Sequence, residues 1–394
     1  MYIQRTIHPT FIKAAQTFPA VLITGPRQSG KTTFLKNVLQ GQSRYVTFDD
    51  PLQRDFAKSD PRGFISQFSD DEAVILDEIQ YMPELFSYLK MDIDSNRERH
   101  GRWIMTGSQQ FQLMQNISDS LAGRIAILNL LPFSLHEAGI GEKSIGRIIF
   151  DGGYPPIIAD NADRQLWLSG YFQTYVERDI RQLARIHNLS VFETFVQLMA
   201  ASHGQEANLA AVSRKAGISQ PTCREWQSLL QASFIIQLLQ PFSTNFGKRL
   251  VKSPKLYFLD SALAAYLTRQ PSPDALWAGN MGGAFFEGLM VCEAVKAFAS
   301  RGMQPELYYW RSHDGLEVDL LVRSNGVVYP VEIKQTASPT SRHAQALVRL
   351  KSVFSTQETA PGIVVCTVGA EQHLPNGVKA LPWQQFPEWI DGIL

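Results

Sequence analysis

At 394 residues, the chain is long enough for roughly two or three domains. Its 37 basic and 37 acidic residues cancel, which excludes a surface that is basic throughout but not a local basic patch. Its start lacks the apolar segment of a secretory leader, and no apolar stretch reaches the roughly 18 residues of a membrane span. The three cysteines show no metal-binding spacing. We therefore expect a cytoplasmic protein without a membrane partner.

Short apolar runs alternate with helical stretches over about the first 130 residues, which indicates a parallel α/β sheet. Several of these runs are apolar throughout, as expected of strands that are covered on both faces. The predicted strands are Ala20–Thr24, Tyr45–Asp49, Ala73–Asp77, Trp103–Thr106 and Ile125–Leu130.

The middle of the chain begins with the turn-rich stretches GIGEKSIGR and DGGYPP, and a helical region follows. The segment LAAVSRKAGIS predicts a helix, a glycine turn and a second helix that starts near Ser219. Two later strands, Ile235–Leu239 and Leu256–Leu259, are placed to form a wing beside these helices.

The C-terminal part follows a linker-like segment and starts with a helical pattern in FFEGLMVCEAVKAFA. Three strands come next, at Glu306–Arg311, Glu317–Arg323 and Val327–Lys334. We predict four domains, at residues 1–140, 141–195, 196–270 and 271–394.

The octapeptide GPRQSGKT fits the Walker A phosphate-loop pattern, and it lies between a buried strand and a helix. Its glycines let backbone N–H groups surround phosphates at a helix N-terminus. Lys31 is expected to reach the β- and γ-phosphates, and Thr32 to hold Mg²⁺. A glycine turn with an incidental lysine is the weaker alternative. The predicted nucleotide-binding residues here are Gly25, Pro26, Arg27, Gln28, Ser29, Gly30, Lys31, Thr32 and Thr33.

Acidic residues end the strand AVILD, about fifty residues after the phosphate loop. Asp77 is predicted to support the Mg²⁺ shell, and Glu78 to polarise the water that attacks the γ-phosphate. After the strand WIMT, the candidates to sense that phosphate are Thr106, Ser108 and Gln109, with a simple strand cap as the alternative.

Two arginines are candidates to stabilise charge in the transition state. Arg124, in SLAGR, is the favoured arginine finger or sensor, and a surface ion pair is the alternative. Arg27 is the weaker candidate for the same role.

The motifs GPRQSGKTT, VILDEIQ, MTGSQQ, SLAGR, LLPFS, GGYPP and KSPKLYFLD occur in this order over nearly the whole chain. They resemble a group of prokaryotic AAA+-type ATPases in which a C-terminal domain of unknown function joins a winged helix to a nuclease-like fold. The resemblance implies an α/β multidomain protein, with a P-loop NTPase core of five parallel strands, a helical lid, a winged helix and a restriction-endonuclease-like α/β domain. The sensor strand departs from the group, because GSQ stands where a second serine is common, which leaves the role of Gln109 open.

The helix–turn–helix pattern at residues 208–230 places Gln220, Thr222 and Arg224 on the second helix, where they can reach phosphates or base edges of DNA. Such modules also bind proteins, so DNA and a protein are both candidate partners. Further basic residues strengthen the interpretation as a DNA-binding module: Lys248, Arg249, Lys252 and Lys255.

A hairpin is predicted in EVDLLVRSNGVVYPVEIK, because Asn-Gly is a strong signal for a two-residue turn. Counting outward pairs Leu321 with Pro330, and Asp319 with Glu332; Glu317 then faces Lys334. The first two pairs fall on non-hydrogen-bonded positions, where the missing N–H of proline costs nothing.

Facing carboxylates repel, and a divalent cation between them would convert that repulsion into coordination. The residues resemble the PD-(D/E)xK nuclease signature, with Asp319, Glu332 and Lys334 in catalytic roles and Glu287 as the acidic residue of the preceding helix. The resemblance implies Mg²⁺ or Mn²⁺ at Glu287, Asp319 and Glu332. An ordinary charged hairpin, or a nuclease fold without cleavage, are the alternatives.

The predicted function is binding and hydrolysis of Mg-ATP by an AAA+-type ATPase whose winged helix and nuclease-like domain act on DNA. One alternative is a non-cutting ATP-dependent switch or scaffold that binds a protein partner through its C-terminal domains. Another is an ATP-independent nuclease with a regulatory nucleotide site. A homo-oligomer is compatible with each of them.

Overall fold

A computed structural model describes residues 2–41, 43–68, 72–107, 120–177, 188–242, 253–354 and 358–394. It divides into two compact units. The first unit comprises Met1–Phe133, Ala232–Phe234 and Ala299–Met303, and the second comprises Ser134–Gln231, Ile235–Phe298 and Gln304–Leu394.

The first unit is built on a five-stranded sheet with the order β2-β3-β4-β1-β5, and all of its strand pairs are parallel. This confirms the predicted parallel sheet. Its strands are β1 (Ala20–Thr24), β2 (Ser43–Thr47), β3 (Ala73–Asp77), β4 (Trp103–Gly107) and β5 (Ile125–Asn129). Its helices are α1 (His8–Thr17), α2 (Lys31–Val38), α3 (Pro51–Ser59), α4 (Pro61–Ser66) and α5 (Leu85–Ser95).

Apolar layers cover both faces of this sheet, which explains the continuously apolar strands. Because side chains alternate along a strand, neighbouring residues of β1 enter different layers. Ala20 and Leu22 pack in one layer with Trp103, while Val21 and Ile23 pack in the other. Every residue of β1 and of β4 is buried.

The second unit contains helices followed by a mixed sheet. Its helices are α6 (Leu135–Ala138), α7 (Ile145–Asp151), α8 (Pro155–Ile158), α9 (Arg164–Tyr171, continued by a π-helical turn at Phe172–Glu177), α10 (Leu189–Ala201), α11 (Leu209–Ala216), α12 (Gln220–Ala232), α13 (Ser261–Leu267), α14 (Pro273–Ala278), α15 (Gly282–Ser300), α16 (Ser341–Val353) and α17 (Phe386–Ile393). Its strands are β6 (Gln205–Glu206), β7 (Ile236–Pro241), β8 (Lys255–Phe258), β9 (Leu307–Arg311), β10 (Glu317–Ser324), β11 (Val327–Ile333), β12 (Ile363–Cys366), β13 (Gln372–His373) and β14 (Lys379–Pro382).

These strands form one nine-stranded sheet with the order β13-β14-β12-β11-β10-β9-β7-β8-β6. Strand β8 pairs antiparallel with both β6 and β7, and β7 joins β9 in parallel. The segment that carries α11 and α12 therefore shares a continuous sheet with the C-terminal strands.

The predicted hairpin register is observed from the pair Ser324–Val327 to the pair Leu320–Val331 and includes Leu321 opposite Pro330. Asn325 and its neighbour Gly326 have φ values of 51° and 83°, the positive angles that a type I′ turn requires. The ladder ends one pair before Asp319 and Glu332. Beside this point, the pairing of β10 with β9 is irregular between Val318 and Leu321.

Within the described ranges, no helix is long and apolar enough to cross a membrane. The cysteines Cys223, Cys292 and Cys366 are all free and buried.

Candidate nucleotide site and carboxylate–lysine cluster

The phosphate loop connects β1 to α2. It contains two positions whose backbone conformation strongly favours glycine. Gly25 has a φ of 143°, and a Cβ atom there would lie 2.2 Å from the carbonyl oxygen of Leu130. Gly30 has a φ of 90° and stands directly before α2. Since a helix N-terminus presents unpaired N–H groups, this loop can surround an anion.

Lys31 is buried at the mouth of the loop. Its Nζ donates to the carbonyl oxygens of Gly25 and Pro26 at 3.1 and 2.9 Å. Burial lowers the pKa of Lys31 to about 8, although Glu78 and Asp77 act in the opposite direction. An anionic ligand would compensate this desolvation.

Side chains from several elements donate hydrogen bonds to Asp77 at the carboxyl edge of the sheet. The hydroxyl of Thr32 donates to it at 3.1 Å, and that of Tyr45 at 2.6 Å. Thr106 also donates to Asp77, and accepts the backbone N–H of Glu78 at 3.2 Å. The structure thus brings Thr32, Asp77 and Thr106 together, as the sequence predicted, and adds Tyr45. A tyrosine in a half-exposed strand carried no signal for this position.

Glu78 directly follows β3 with a φ of 56° and a ψ of 44°. A left-handed backbone is uncommon outside glycine and indicates that the surroundings fix this residue. Gln80 donates to its carboxylate. Glu78 therefore has a fixed orientation beside Asp77.

Arg5 fixes the phosphate loop through hydrogen bonds to backbone carbonyls. The sequence did not predict this role. Its buried guanidinium donates to the carbonyl oxygens of Ser29 at 2.8 Å and of Leu131 at 2.5 Å. The same group lies 4.7 Å from the ring centroid of Phe133. It connects the phosphate loop to the segment after β5, across 126 residues of sequence.

The other predicted residues of the loop are placed as follows. Gln28 has a φ of 60°, Ser29 is buried, and Thr33 is exposed on α2. Arg27 and Pro26 lie in the loop between β1 and α2. Ser108 and Gln109 lie outside the described residues.

The structure places Arg124, the predicted arginine finger or sensor, at the opposite edge of the sheet from the phosphate loop. It directly precedes β5, whereas the phosphate loop follows β1, and these strands run parallel. A five-residue strand separates the two edges by roughly 16 Å. The arginine is paired with Asp94, through bonds of 2.8 and 3.0 Å. A finger role for Arg124 would require a nucleotide bound by another copy of the chain.

Six charged residues of the second unit form what we call the carboxylate–lysine cluster: Lys255, Glu287, Glu317, Asp319, Glu332 and Lys334. Lys255, in β8, contacts Glu317 and lies 2.8 Å from Glu287 and 4.0 Å from Asp319. The hydroxyl of Tyr257 donates to Glu287 at 2.5 Å.

Lys334 joins the two predicted acids of the hairpin. Its Nζ lies 2.9 Å from Asp319 and 2.8 Å from Glu332. The backbone N–H of Ile333 also donates to Asp319, at 2.8 Å. One oxygen of Glu332, Oε2, is buried with no hydrogen-bond partner among the described residues.

Burial and neighbouring charge shift the pKa values in this cluster. Burial raises the pKa of Glu287 to about 7 and that of Glu332 to about 8, and repulsion from Asp319 adds to both shifts. Burial alone would lower the pKa of Lys255 and of Lys334, but the neighbouring carboxylates outweigh it and raise both.

The sequence predicted part of this cluster. Glu287, Asp319, Glu332 and Lys334 do converge. Glu317 was expected opposite Lys334, but the ladder between β10 and β11 ends at Leu320 and Val331, and the Glu317 carboxylate contacts Lys255.

Lys255 was counted among the basic residues that favour DNA binding, but only 5% of the residue is exposed, so it cannot belong to a basic surface. Lys248, Arg249 and Lys252 lie outside the described residues. Within the described ranges, no group of three or more His, Cys, Asp or Glu residues is arranged to hold a metal ion.

Comparison with known proteins agrees with the fold and the phosphate loop. Residues 17–139 match the family model of an AAA domain. Residues 142–274 and 282–386 match two domains of unknown function, DUF8612 and DUF4143. The first unit therefore contains an AAA domain, the nucleotide-binding domain of AAA-type ATPases.

The chain is 31% identical over 376 residues to uncharacterized proteins of Mycobacterium tuberculosis and Mycobacterium bovis, with 93% of this chain and 83% of each relative covered. It belongs to the same family as these proteins. Among solved structures, a Walker-type ATPase of Pyrococcus abyssi is 14% identical, with a TM-score of 0.45, and 68% of this chain and 96% of that chain are covered. The RuvB branch-migration motor of Thermotoga maritima is 15% identical, with a TM-score of 0.31, and 60% and 89% are covered.

Proposed function

We propose that the protein hydrolyses Mg-ATP in its first unit and uses this cycle to act on DNA without cutting it. The convergence of Thr32, Asp77 and Glu78 beside the buried Lys31 carries the first part of the proposal. Each of these residues has a fixed place at the carboxyl edge of the parallel sheet, where α/β folds bind ligands.

The residues at the loop fit a bound Mg²⁺, since Thr32 and Asp77 offer hard oxygen donors side by side. When bound, the ion neutralises charge on the phosphates. The ammonium of Lys31 exchanges its bonds to loop carbonyls for bonds to the phosphates. The loop N–H groups bind the remaining phosphate oxygens, and Glu78 accepts a proton from the attacking water.

Arg5 is a positioning residue in this scheme, and we expect Arg5→Gln to weaken ATP binding about tenfold. The substitution removes two charge-assisted hydrogen bonds that hold the loop, each worth about 1.5–3 kcal/mol. Titration of ATP into the purified variant measures the dissociation constant. Arg44→Gln, which changes an exposed arginine of β2, is the control. Unchanged ATP affinity in a variant with lowered thermal stability would show that Arg5 only stabilises the fold.

The second part of the proposal rests on the α11–α12 module, which we interpret as a winged helix. The order α10-β6-α11-α12-β7-β8 supports this interpretation, with a helix turn at Gly217, whose φ is 68°. Strands β7 and β8 provide the wing. Exposed cations lie at the end of α11 and on α12: Arg214, Lys215 and Arg224.

We expect simultaneous replacement of Arg214, Lys215 and Arg224 by Gln to weaken DNA binding and to flatten its salt dependence. Each lost phosphate contact lowers the slope of log K against log salt by about 1. Binding is measured by fluorescence anisotropy with duplex DNA over a series of salt concentrations. The matched control neutralises three exposed cations of the first unit: Lys13, Lys58 and Arg62. An unchanged slope in the first variant would exclude this module as the DNA contact.

The carboxylate–lysine cluster does not fit metal-dependent cleavage, so we assign no catalytic step to Asp319, Glu332 or Lys334. Lys255 already contacts the acids that a metal ion would need, and Lys334 is bound to both hairpin carboxylates. This arrangement favours a C-terminal domain that does not cut.

The decisive experiment measures ATP turnover in Mg²⁺ with and without duplex DNA, while the DNA is followed for breaks on a gel. Turnover that DNA stimulates, with intact DNA, supports the proposal. An ATP turnover rate that is the same with and without DNA would favour an ATP-dependent switch that binds a protein partner. Cleavage of the DNA would support the nuclease interpretation.

A further inference from the structure

The ammonium of Lys255 lies among carboxylates from two different elements. Glu287 comes from α15, and both Glu317 and Asp319 come from β10. The side chain of Lys255 is 6% exposed, so water screens these charges little. An ion that replaced this ammonium would meet the same oxygens.

Glu332, the remaining acid of the cluster, is also paired with a lysine ammonium. Lys334 contacts both Asp319 and Glu332, so every carboxylate of the cluster is in contact with a lysine ammonium. The only buried carboxylate oxygen here that lacks a partner among the described residues is Oε2 of Glu332. One free oxygen does not make a site, since Mg²⁺ and Mn²⁺ prefer several oxygen ligands in octahedral geometry.

We propose that Lys255 is a resident cation, which takes the place of a divalent metal ion and clasps β8 to α15 and β10. The signature residues of a nuclease then serve as an ion-pair network that joins the winged-helix strands to the C-terminal domain.

The position of Tyr257 supports this clasp. It lies two residues after Lys255 in β8, on the same face of the strand, and its hydroxyl donates to Glu287. Two side chains of one strand therefore bind the same glutamate, at 2.8 and 2.5 Å. A residue that only lined a metal site would not need this second anchor.

The clasp explains why a metal ion and Lys255 exclude each other. Both would need the oxygens of Glu287 and Asp319, and two cations in one buried position repel strongly at low dielectric. Removal of the ammonium leaves buried acids without a counter-charge, which is the environment that attracts a divalent cation.

Thermal unfolding of the nucleotide-free protein in EDTA and in MnCl₂ tests the proposal. We expect the same Tm for the wild type in both solutions. Lys255→Met keeps the length of the side chain without its charge, and we expect its Tm to fall by several degrees in EDTA and to recover in MnCl₂. Lys351→Met, which changes an exposed lysine of α16, is the control, and we expect its Tm to be the same in EDTA and in MnCl₂.

Calorimetric titration of MnCl₂ into the wild type provides a second measurement that does not depend on the variant. Micromolar binding that Asp319→Asn abolishes would overturn the proposal, and lack of binding supports it, even if Lys255→Met does not fold. A folded Lys255→Met variant whose Tm is the same in EDTA and in MnCl₂ also overturns the proposal, because Lys255 would then not take the place of a metal ion. None of these results depends on ATP turnover, so failure of the proposed function would be seen separately.

Discussion

In the variant Glu78→Gln, we expect ATP hydrolysis to slow by about 100-fold or more while ATP still binds. Removal of a general base costs about 10²–10⁴-fold in rate. Glutamine has the shape of glutamate, and its carbonyl oxygen can still accept the hydrogen bond from Gln80, but it cannot take a proton from water. Phosphate release measures the rate, and titration of ATP measures the affinity.

Glu84→Gln is the matched control, because Glu84 is an exposed glutamate just before α5. We expect its hydrolysis rate to equal that of the wild type. Normal hydrolysis in Glu78→Gln would show that another group activates the water. Loss of ATP binding together with hydrolysis would instead assign Glu78 to the ground-state site.

In the variant Gly288→Ala, we expect the free energy of unfolding to fall by about 2 kcal/mol or more, because overpacking costs about 1–3 kcal/mol and the new methyl group meets a rigid ring. A Cβ atom on Gly288, in α15, would lie 2.1 Å from Nε2 of His203. The ring cannot move aside easily, since its Nδ1 accepts the N–H of Phe258 at 3.0 Å and it stacks on Phe285. Burial lowers the pKa of His203 to about 3, so the ring is neutral and its proton is on Nε2.

Gly283→Ala is the matched control in the same helix. Its Cβ atom would meet only the side chain of Gln335, at 3.8 Å, so the gain in helix propensity of up to about 1 kcal/mol should be retained. Urea unfolding of both variants gives the comparison. The double variant His203→Ala with Gly288→Ala should recover part of the loss, and strict additivity would show that the two side chains do not clash.

The sequence predicted the central strands well because burial on both faces marks them. Strands β1 and β3 were placed to the residue, and both lie inside the sheet. Strand β2 lies at an edge and was placed two residues too late. Its residues are mostly half-exposed, so no continuous apolar run marks its limits.

Local chemistry also explains which parts of the hairpin could be predicted. The Asn325-Gly326 turn fixes the register of the pairs next to it. The irregularity between Val318 and Leu321 arises from pairing with β9, which the turn does not control.

Contacts over long sequence distances were the ones that the sequence did not reveal. Lys255 is 32 residues from Glu287, and Arg5 is 24 residues from Ser29. A lysine in a basic segment has the same local pattern whether it is exposed or enclosed by acids. The location of Arg124 could not be predicted for a related reason, because its sequence motif does not show at which edge of the sheet the residue lies.

The two ends of the nine-stranded sheet restrict how other chains can join it. Its outermost described strands, β6 and β13, are two residues long, and their residues are exposed and polar. Strand addition needs a longer row of free N–H and carbonyl groups. Among the described residues, these two end strands therefore offer another polypeptide only a short template for main-chain pairing. Very short edge strands of this kind are one of the features by which proteins avoid edge-to-edge aggregation.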